Sequence, residues 1–426
     1  MSERFYRDSV HNIIRVTTDK PDGALIADLI DAAEFQRLRR IRQLGLANFA
    51  YQSAEHSRFT HSLGAYHLAD RILGKLKEQY KIAPEDITAV KSAALLHDIG
   101  HGAFSHVIES ILHFHHEDYT IEAVLNRETE VGQILHAYDP ALPKRVADII
   151  RGSFRPMALG QLVSSQLDVD RMDYLLRDSH LTGVKYGVFD LEWIIKSLQI
   201  NEKEDHLYIS APGIYAVEDY LQARYYMFRQ VYFHRTLRSA EAVLQSLLRR
   251  ALHLFKTGGD VWFLADTPLE KILRGEKLEL SEHLALDDAD FIFYIKRWQH
   301  STDTILSDLA KRFIRRKLFK AFDLDMPYEQ RTAFIAKVRE IVEEAGLDPA
   351  YYLVEDKAGD VPHYFYIKDE KSRKNLIFVE DGFAQPRIRE ISEVSAAVRG
   401  LQKEYRIHRL CFPDELKNEI SGHYHN

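Results

Sequence analysis

Cysteine is almost missing from this chain: Cys411 stands alone in 426 residues. A lone thiol excludes an intrachain disulfide and any zinc centre built on several thiolates, and it fits a reducing cytoplasm. Long apolar runs are missing too. No stretch reaches the roughly 18 apolar residues that a membrane-spanning helix requires. The opening residues, MSERFYRDSV, lack the basic segment and apolar run of a secretory leader. There is no repeat of fixed period and no low-complexity tract. The net charge is −7, which argues against nucleic-acid binding by the surface as a whole but leaves room for a local basic pocket. Hydrophobic residues at 46% and charged residues at 28% are ordinary for a globular chain long enough to bury a sizeable core.

What stands out instead is histidine. There are 21, many of them bunched between 56 and 116. The surrounding pattern is mainly α. HNIIRVTT (11–18) and the turn DKPDG predict a short N-terminal strand and a bend, and from Ile26 to about Leu254 the periodicity is helical. AEFQRLRRIRQLG carries apolar residues at 35, 38, 41 and 44 and predicts one helix stopped by Gly45. PEDITAVKSAALLHDIG opens on Pro84 and acidic residues and closes on glycine, as a helix does. LQINEKEDHLYIS (198–210) predicts a hairpin, and 213–255 reads as helix again. A further helical stretch, roughly 265–345, contains the basic run KRFIRRKLFK (311–320). After 350, YYLVE, HYFYI and NLIFV predict a small sheet before a final helix near 389–403. The expected architecture is therefore a helical core with short N-terminal strands and a hairpin over 1–255. A helical extension over 256–345 and a small α+β region over 346–426 complete it, with no Pro/Ser linker between them.

The histidines are densest in LLHDIGHGAFSH (95–106). Its adjacent His97-Asp98 pair offers an imidazole and a carboxylate, ligands suited to borderline divalent metals. The dipeptide alone is equally compatible with a buried histidine satisfied by its neighbour near a helix end. Three other stretches bear on the choice. HSRFTHSLG puts Arg58 and His61 on one helix face. SSQLDVDRMDYLLRDSH brings Asp168, Asp170 and Asp173 into the start of a helix that otherwise reads as buried. HFHHEDYT adds His113, His115, His116 and Glu117, of which His113 and His115 are read as surface or packing residues. Burying so many ionisable groups is costly without a metal or an anion, and mutual pairing alone explains the spacing poorly.

The ordered set H…HD…D, formed by His61, His97-Asp98 and Asp170, resembles the HD-domain phosphohydrolases. The longer forms RFTHSLG, LLHDIGHGAFSH and LDVDRMDYLLRD look like the deoxynucleoside triphosphate triphosphohydrolase branch of that family. The likeness covers roughly residues 4–240, and the GYP signature of the cyclic-dinucleotide branch is absent. It implies an HD-domain helical core and one divalent metal (Mg, Mn, Fe or Zn) held by His61, His97, Asp98 and Asp170. The implied reaction cleaves a dNTP to deoxynucleoside and intact tripolyphosphate.

The resemblance also assigns the supporting residues. His101, His106 and His116 fall where the family's non-ligand histidines lie, and an unperturbed pKa of about 6.5 suits them to acid–base work. His106 is expected to protonate the leaving group and His116 to act near the α-phosphate, with the division between them open. Glu109, three residues after His106, stands where the family has aspartate and is expected to orient the imidazole. Arg58, Arg171 and Arg224 match cationic positions that meet the triphosphate. Tyr174 shares a helix face with Arg171 and Asp178. Gln43 and Asp178 match residues that hydrogen-bond the 3′ hydroxyl, while Leu44 and Tyr232 match the wall that leaves no room for a 2′ hydroxyl. Arg224, Phe228 and Tyr232 lie four apart, which is also the spacing of ordinary helix packing, and Phe228 departs from a family histidine.

Arg4, Asp31, Gln36 and Arg39 match positions that recognise a guanine nucleotide at a regulatory site, and His234 and Arg235 match a second effector position. A solvated basic helix face accounts for RLRRIRQ as well. The implied partners are the dNTP substrate, GTP or dGTP and dNTP effectors, and further copies of the chain in a dimer or tetramer. No membrane or nucleic-acid partner is expected. Two other readings remain: an HD phosphohydrolase acting on a nucleoside monophosphate or cyclic nucleotide, and a nucleotide sensor or nucleic-acid binder that kept the fold.

Overall fold

The computed structural model describes residues 2–112, 114–360, 375–382, 386–402 and 405–424, without the side chains of His106, Ser110 and Asp360. The chain starts in an antiparallel hairpin of β1 (Glu3–Asp8) and β2 (Asn12–Thr17). Asp8 closes the turn by accepting the N–H groups of Val10 and His11 at 2.9 and 2.8 Å. Asn12 takes a left-handed φ of 64°, which asparagine tolerates better than most residues. Ile14 and Val16 alternate inward from β2, the period-two signature of a half-buried strand.

Next come α1 (Pro21–Asp31), which begins on proline, and α2 (Ala33–Arg37). The apolar spacing predicts that α2 continues to Gly45, and it does not. A 3-10 turn at Leu38–Arg40 ends the helix, and Ile41 is extended, with φ −117° and ψ 116°. Long-range partners take the backbone groups a continuing helix would need. The Arg42 N–H donates to Asp288, the Gln43 N–H donates to the His56 carbonyl, and the Ile41 carbonyl accepts the Arg58 N–H. Gln36 and Arg39 therefore sit one turn apart, but Gln43 is not the next step on their helix.

A helical core follows: α3 (Arg58–Leu76), α4 (Pro84–Leu96), α5 (His106–Leu112), α6 (His116–Leu125), α7 (Glu130–Tyr138), α8 (Leu142–Ile150), α9 (Met157–Gly160), α10 (Val169–Thr182) and α11 (Leu191–Ser197). Buried residues occur on most of the circumference of α3, which fits a helix enclosed by neighbours such as α4 and α10. Leu68, Ala93, Leu96 and Met172 belong to this core. Each fully buried leucine or methionine contributes about 1.5–3 kcal/mol. The expected hairpin forms as β3 (Leu198–Asn201) and β4 (His206–Ile209). The helix expected over 213–255 is interrupted: α12 (Ile214–Met227) passes through a π-helical turn at Phe228–Tyr232 before α13 (Arg235–Thr257).

A second core gathers α13 with α14 (Pro268–Arg274), α16 (Asp288–Trp298), α17 (Thr304–Ile314), β5 (Phe319–Asp323), α18 (Tyr328–Glu344) and α19 (Pro349–Tyr352), while α15 (Leu280–Ala285) packs Leu280 and Leu284 on the first core. Val243, Leu247, Trp298 and Phe412 belong to it. Of the strands expected after 350, YYLVE runs into β6 (Val354–Asp360) and NLIFV into β7 (Phe378–Asp381), while β8 (Arg387–Glu390) and β9 (Tyr405–Pro413) are additional strands that the sequence pattern does not mark. They do not make a separate sheet. β7 runs parallel to β4 and extends the core hairpin into the order β3-β4-β7-β8, while β9 lies between β5 and β6. Consecutive residues Leu410, Cys411 and Phe412 are all buried, as a strand covered on both faces requires. HYFYI (363–367) lies outside the described residues. The final helix expected near 389–403 is split into short turns at Ile391–Val394 and Ala396–Gly400, because Ser395 is extended and caps the second by accepting the Val398 N–H. No described helix is long and apolar enough to cross a membrane.

Candidate metal and phosphate site

Three helix ends converge at the site. The first turn of α3 carries Arg58 and His61, the C-terminal end of α4 delivers His97 and Asp98, and the first turn of α10 carries Asp170. Asp168 caps α10: its carboxylate accepts the N–H groups of Arg171 and Ser165 at 2.9 and 3.0 Å, which fixes the turn that presents Asp170. Two glycines permit the close approaches. A Cβ on Gly64 of α3 would lie 1.8 Å from the Asp173 carboxylate of α10, and one on Gly100 would lie 2.2 Å from the His116 carbonyl.

The donor set fits a divalent cation. His61 Nε2 lies 3.2 Å from His97 Nε2 and 3.0 Å from an Asp170 oxygen, and His97 Nε2 lies 3.5 Å from that same oxygen. Asp98 oxygens lie 3.8 and 3.4 Å from the two imidazoles. Such separations are edges of a coordination polyhedron with bonds of about 2.0–2.2 Å. Both tautomers suit ligation. His61 Nδ1 donates to Asp173 at 2.8 Å and His97 Nδ1 donates to the Ala94 carbonyl at 2.9 Å, leaving each Nε2 lone pair turned to the centre. Two nitrogens facing each other at 3.2 Å want a positive charge between them.

The electrostatics say the same. Burial opposes protonation of His61, yet Asp170 and Asp173 overcome it and push the imidazole up to about 10. Burial likewise opposes ionisation of Asp98, but Arg58, His97 and His101 hold it well below the ordinary carboxylate range. Asp170 is held low by His61 and His97 against the same burial penalty. Asp173 is ionised because Arg177, His11 and His61 outweigh its desolvation. Arg177 bonds both Asp173 oxygens at 2.8 and 2.9 Å and reaches Asp8 at 2.7 Å, while His11 donates to Asp173 at 2.7 Å. The N-terminal hairpin thus braces the group that orients a ligand histidine.

Beside this cluster, the rings of His101 and His116 stack at 3.6 Å and 15°. His101 Nε2 lies 3.3 Å from Asp98, and burial, Arg58 and His116 keep its imidazole well below its ordinary value. Glu109 accepts from both Nδ1 and the backbone N–H of His116 at 2.8 Å. The His106 side chain lies outside the described residues, as does His113, while His115 is exposed.

The cluster opens on a cleft of about 530 Å³. At the metal end, Arg58 donates to Asp98 at 2.5 Å and to the Ser105 hydroxyl at 2.7 Å, and Arg171 is braced by Asp168 and the Ser165 carbonyl. At the other end Tyr232 donates to Asp178 at 2.9 Å and its ring meets Tyr174 edge-on at 6.1 Å. Leu44 and Gln43 complete that wall, and Gln43 Oε1 is buried without a hydrogen-bond partner. Arg224 does not line the cleft. It is buried against the Phe228 ring, with its guanidinium carbon 5.4 Å from the ring centre.

The geometry can be set beside known proteins. The family described as HD domain matches residues 58–178, and the HD associated region matches 189–260. Protein YwfO of Bacillus subtilis is 41% identical over 419 residues, covering 97% of this chain and 93% of that one. The chain belongs to the HD-domain phosphohydrolase family. A phosphohydrolase crystal structure from Bacteroides thetaiotaomicron shares the fold with a TM-score of 0.82 at 29% identity, covering 96% of this chain and 100% of that one. The deoxynucleoside triphosphate triphosphohydrolase SAMHD1 homolog of Dictyostelium discoideum is 31% identical over 271 residues, which is 60% of this chain and 51% of that relative. The match therefore spans about half of the length of that relative.

Several residues of this HD site escaped the sequence motifs. His56 donates to Asp178 at 2.8 Å from a loop, and only its place two residues before RFTHSLG hints at it. Arg238 and Glu241 of α13 line the cleft and bond each other at 2.6 Å. Burial raises the Glu241 carboxyl to about 7. Nothing in their spacing marks them out.

The residues expected to hold effectors fall on two surfaces. Arg4 donates to Asp31 at 2.6 Å, and Arg39, stacked on Phe59, donates to Gln36 at 2.8 Å. His234 and Arg235 line a separate cavity of about 1400 Å³ together with Arg315, Arg316, Lys317 and Lys320 of the basic run.

Proposed function

We propose that this HD phosphohydrolase cleaves deoxynucleoside triphosphates to deoxynucleoside and tripolyphosphate at one divalent metal. The observation that carries the reading is the division of the 530 Å³ cleft, with cations and metal donors at one end and a tyrosine-lined, closed wall at the other. That volume suits a small-molecule ligand of nucleotide size. A divalent cation held by His61, His97, Asp98 and Asp170 supplies Lewis-acid polarisation of a phosphate oxygen and lowers the pKa of water.

The protein's own side chains supply the rest. Arg58 and Arg171 neutralise the polyphosphate. Water adds to the α-phosphorus, the bond from phosphorus to the 5′ oxygen breaks, and the departing oxygen takes a proton from His106 or His116. Glu109, bonded to His116 Nδ1, orients that ring. His101, held neutral, stacks on His116 and fixes its plane. The unpaired Gln43 oxygen accepts a sugar hydroxyl, and Leu44 with Tyr232 leaves no partner for a 2′ hydroxyl. Asp178 orients Tyr232 and completes the sugar end.

Incubation with each dNTP and NTP in turn, with Mg, Mn, Fe or Zn, tests the reading by the phosphate product. Tripolyphosphate with deoxynucleoside is expected; pyrophosphate or orthophosphate would sink the proposal. Activation is part of the same proposal. A guanine nucleotide meets Arg4, Asp31, Gln36 and Arg39, a dNTP meets His234 and Arg235, and the chain works as a cytoplasmic dimer or tetramer. Hydrolysis that is indifferent to GTP and dGTP at every concentration removes the regulatory half.

A further inference from the structure

We propose that Asp288, the first residue of α16 and outside both matched family regions, is a positioning residue for the HD site. The inference rests on the reading of the His61–Asp170 cluster as the reaction centre, and not on the identity of the substrate.

The loop Ala103–Ser105, which follows HDIGH, is held in a conformation its residues do not favour. Phe104 and Ser105 have φ of 50° and 53°, two consecutive left-handed positions with neither filled by glycine. Such a loop needs outside restraint. Asp288 provides it: one carboxylate oxygen accepts the Phe104 N–H at 2.9 Å and the other accepts the Arg42 N–H at 3.1 Å. The carboxylate is only 7% exposed, so water competes weakly for these bonds.

The two loops so joined are adjacent lips of the cleft. One carries Gln43 and Leu44, the other Ser105. They touch at Gly45, where a Cβ would lie 3.1 Å from the Phe104 carbonyl. Ser105 then passes the restraint inward. Its hydroxyl donates to the Arg42 carbonyl at 3.2 Å and accepts from Arg58 Nη2 and Nε at 2.7 and 3.2 Å. Arg58 in turn donates to the metal-binding carboxylate of Asp98 at 2.5 Å. A continuous path thus runs from the helical extension to a ligand of the reaction centre.

Neighbours of Asp288 reinforce the grip. Buried Arg37 donates to the carbonyls of Ile99, His283 and Leu286, and His283 donates to the Gly100 carbonyl at 2.8 Å. The segment 283–288 therefore holds the HDIGH turn at Gly100 and the loop after it at Phe104, and Arg37 ties the same segment to Ile99.

An amide at 288 has one accepting oxygen and an NH2 that opposes the second N–H, so Asp288→Asn breaks one lip from the other without changing size. Asp290→Ala is the control. Asp290 accepts the Asp287 N–H at 2.8 Å and caps the same helix, but bonds neither lip. In the full-length protein loaded with Mn, Asp288→Asn is expected to lower kcat about 100-fold with KM little changed. Exchange of the Arg42 and Phe104 amides should rise about 10-fold by hydrogen–deuterium exchange. Asp290→Ala should leave kcat and both amides as in the parent. Parental exchange at both amides in Asp288→Asn overturns the proposal, and so does an equal loss of kcat in Asp290→Ala. If the parent hydrolyses no dNTP, the substrate reading fails and the exchange arm still decides the role of Asp288.

Discussion

The two ends of the cleft are stabilised by opposite means. At the metal end almost every side chain is ionisable and bonded to a partner of opposite charge: His61 to Asp173, Asp98 to Arg58, Arg171 to Asp168. At the end proposed to take the sugar, the wall is made of the Tyr174 and Tyr232 rings with Leu44 and Gln43, and the Asp178 carboxylate is bonded to Tyr232 and His56. Removing one member of a buried charge network strands its partner, whereas trimming a packed wall leaves a cavity. Damage should therefore be all-or-none at one end and graded at the other.

The sharpest contrast comes from Asp98→Ala, which removes a donor and leaves Arg58 uncompensated. Bound metal measured by elemental analysis and turnover should both vanish, a loss above about 1,000-fold. An active, metal-free Asp98→Ala protein breaks the assignment. Next in size, His116→Ala should lower kcat by about 100- to 1,000-fold while metal content stays at the parental level, because His116 stands beside the donor cluster. At the sugar end Leu44→Ala should leave dNTP turnover within a few-fold and raise the relative rate on ribonucleotides about 10-fold. If ribonucleotides gain nothing, Leu44 is not part of the wall.

The smallest effect concerns Glu241. Burial raises its carboxyl from 4.5 to about 7, so between those values the folded state keeps a proton that the unfolded state has released. Stability from this group is present at low pH and lost as pH rises through about 7, by up to about 2–3 kcal/mol. The carboxylate is 15% exposed, so solvent moderates only part of this. Glu241→Gln should flatten the decline in urea midpoint between pH 5 and 8. An unchanged profile would mean that the carboxyl is ionised throughout.

Much of the metal end was legible in the sequence, because ligand chemistry restricts residue type and helices fix spacing. Arg58 and His61 lie three apart on α3 and so share a face as expected, Asp168 and Asp170 fall at the cap and first turn of α10, and His97-Asp98 lands at the end of α4. The sugar end was legible only through family likeness, and Arg224 shows the limit: its spacing to Phe228 is real, but it packs against that ring and is not among the residues that line the cleft. The 35–45 helix failed because periodicity records burial and not backbone bonding. Ile41 and Leu44 face apolar neighbours, yet Asp288 and His56 hold the adjacent backbone out of the helix. Likewise, no local pattern tells β7 to pair with a strand about 170 residues earlier.

That last pairing sets an order of events during synthesis. Tyr208 and Ile209 wait for Phe378 and Val379, and until these arrive β4 presents an open edge. Asn375, which lines the cleft and accepts from Gln166 through its carbonyl, arrives with the same segment. A ribosome has made all the proposed metal donors by residue 170 but must add about 200 more residues before Asn375 joins the cleft. The donors are thus synthesised early, and the residues that line the cleft are complete only near the end.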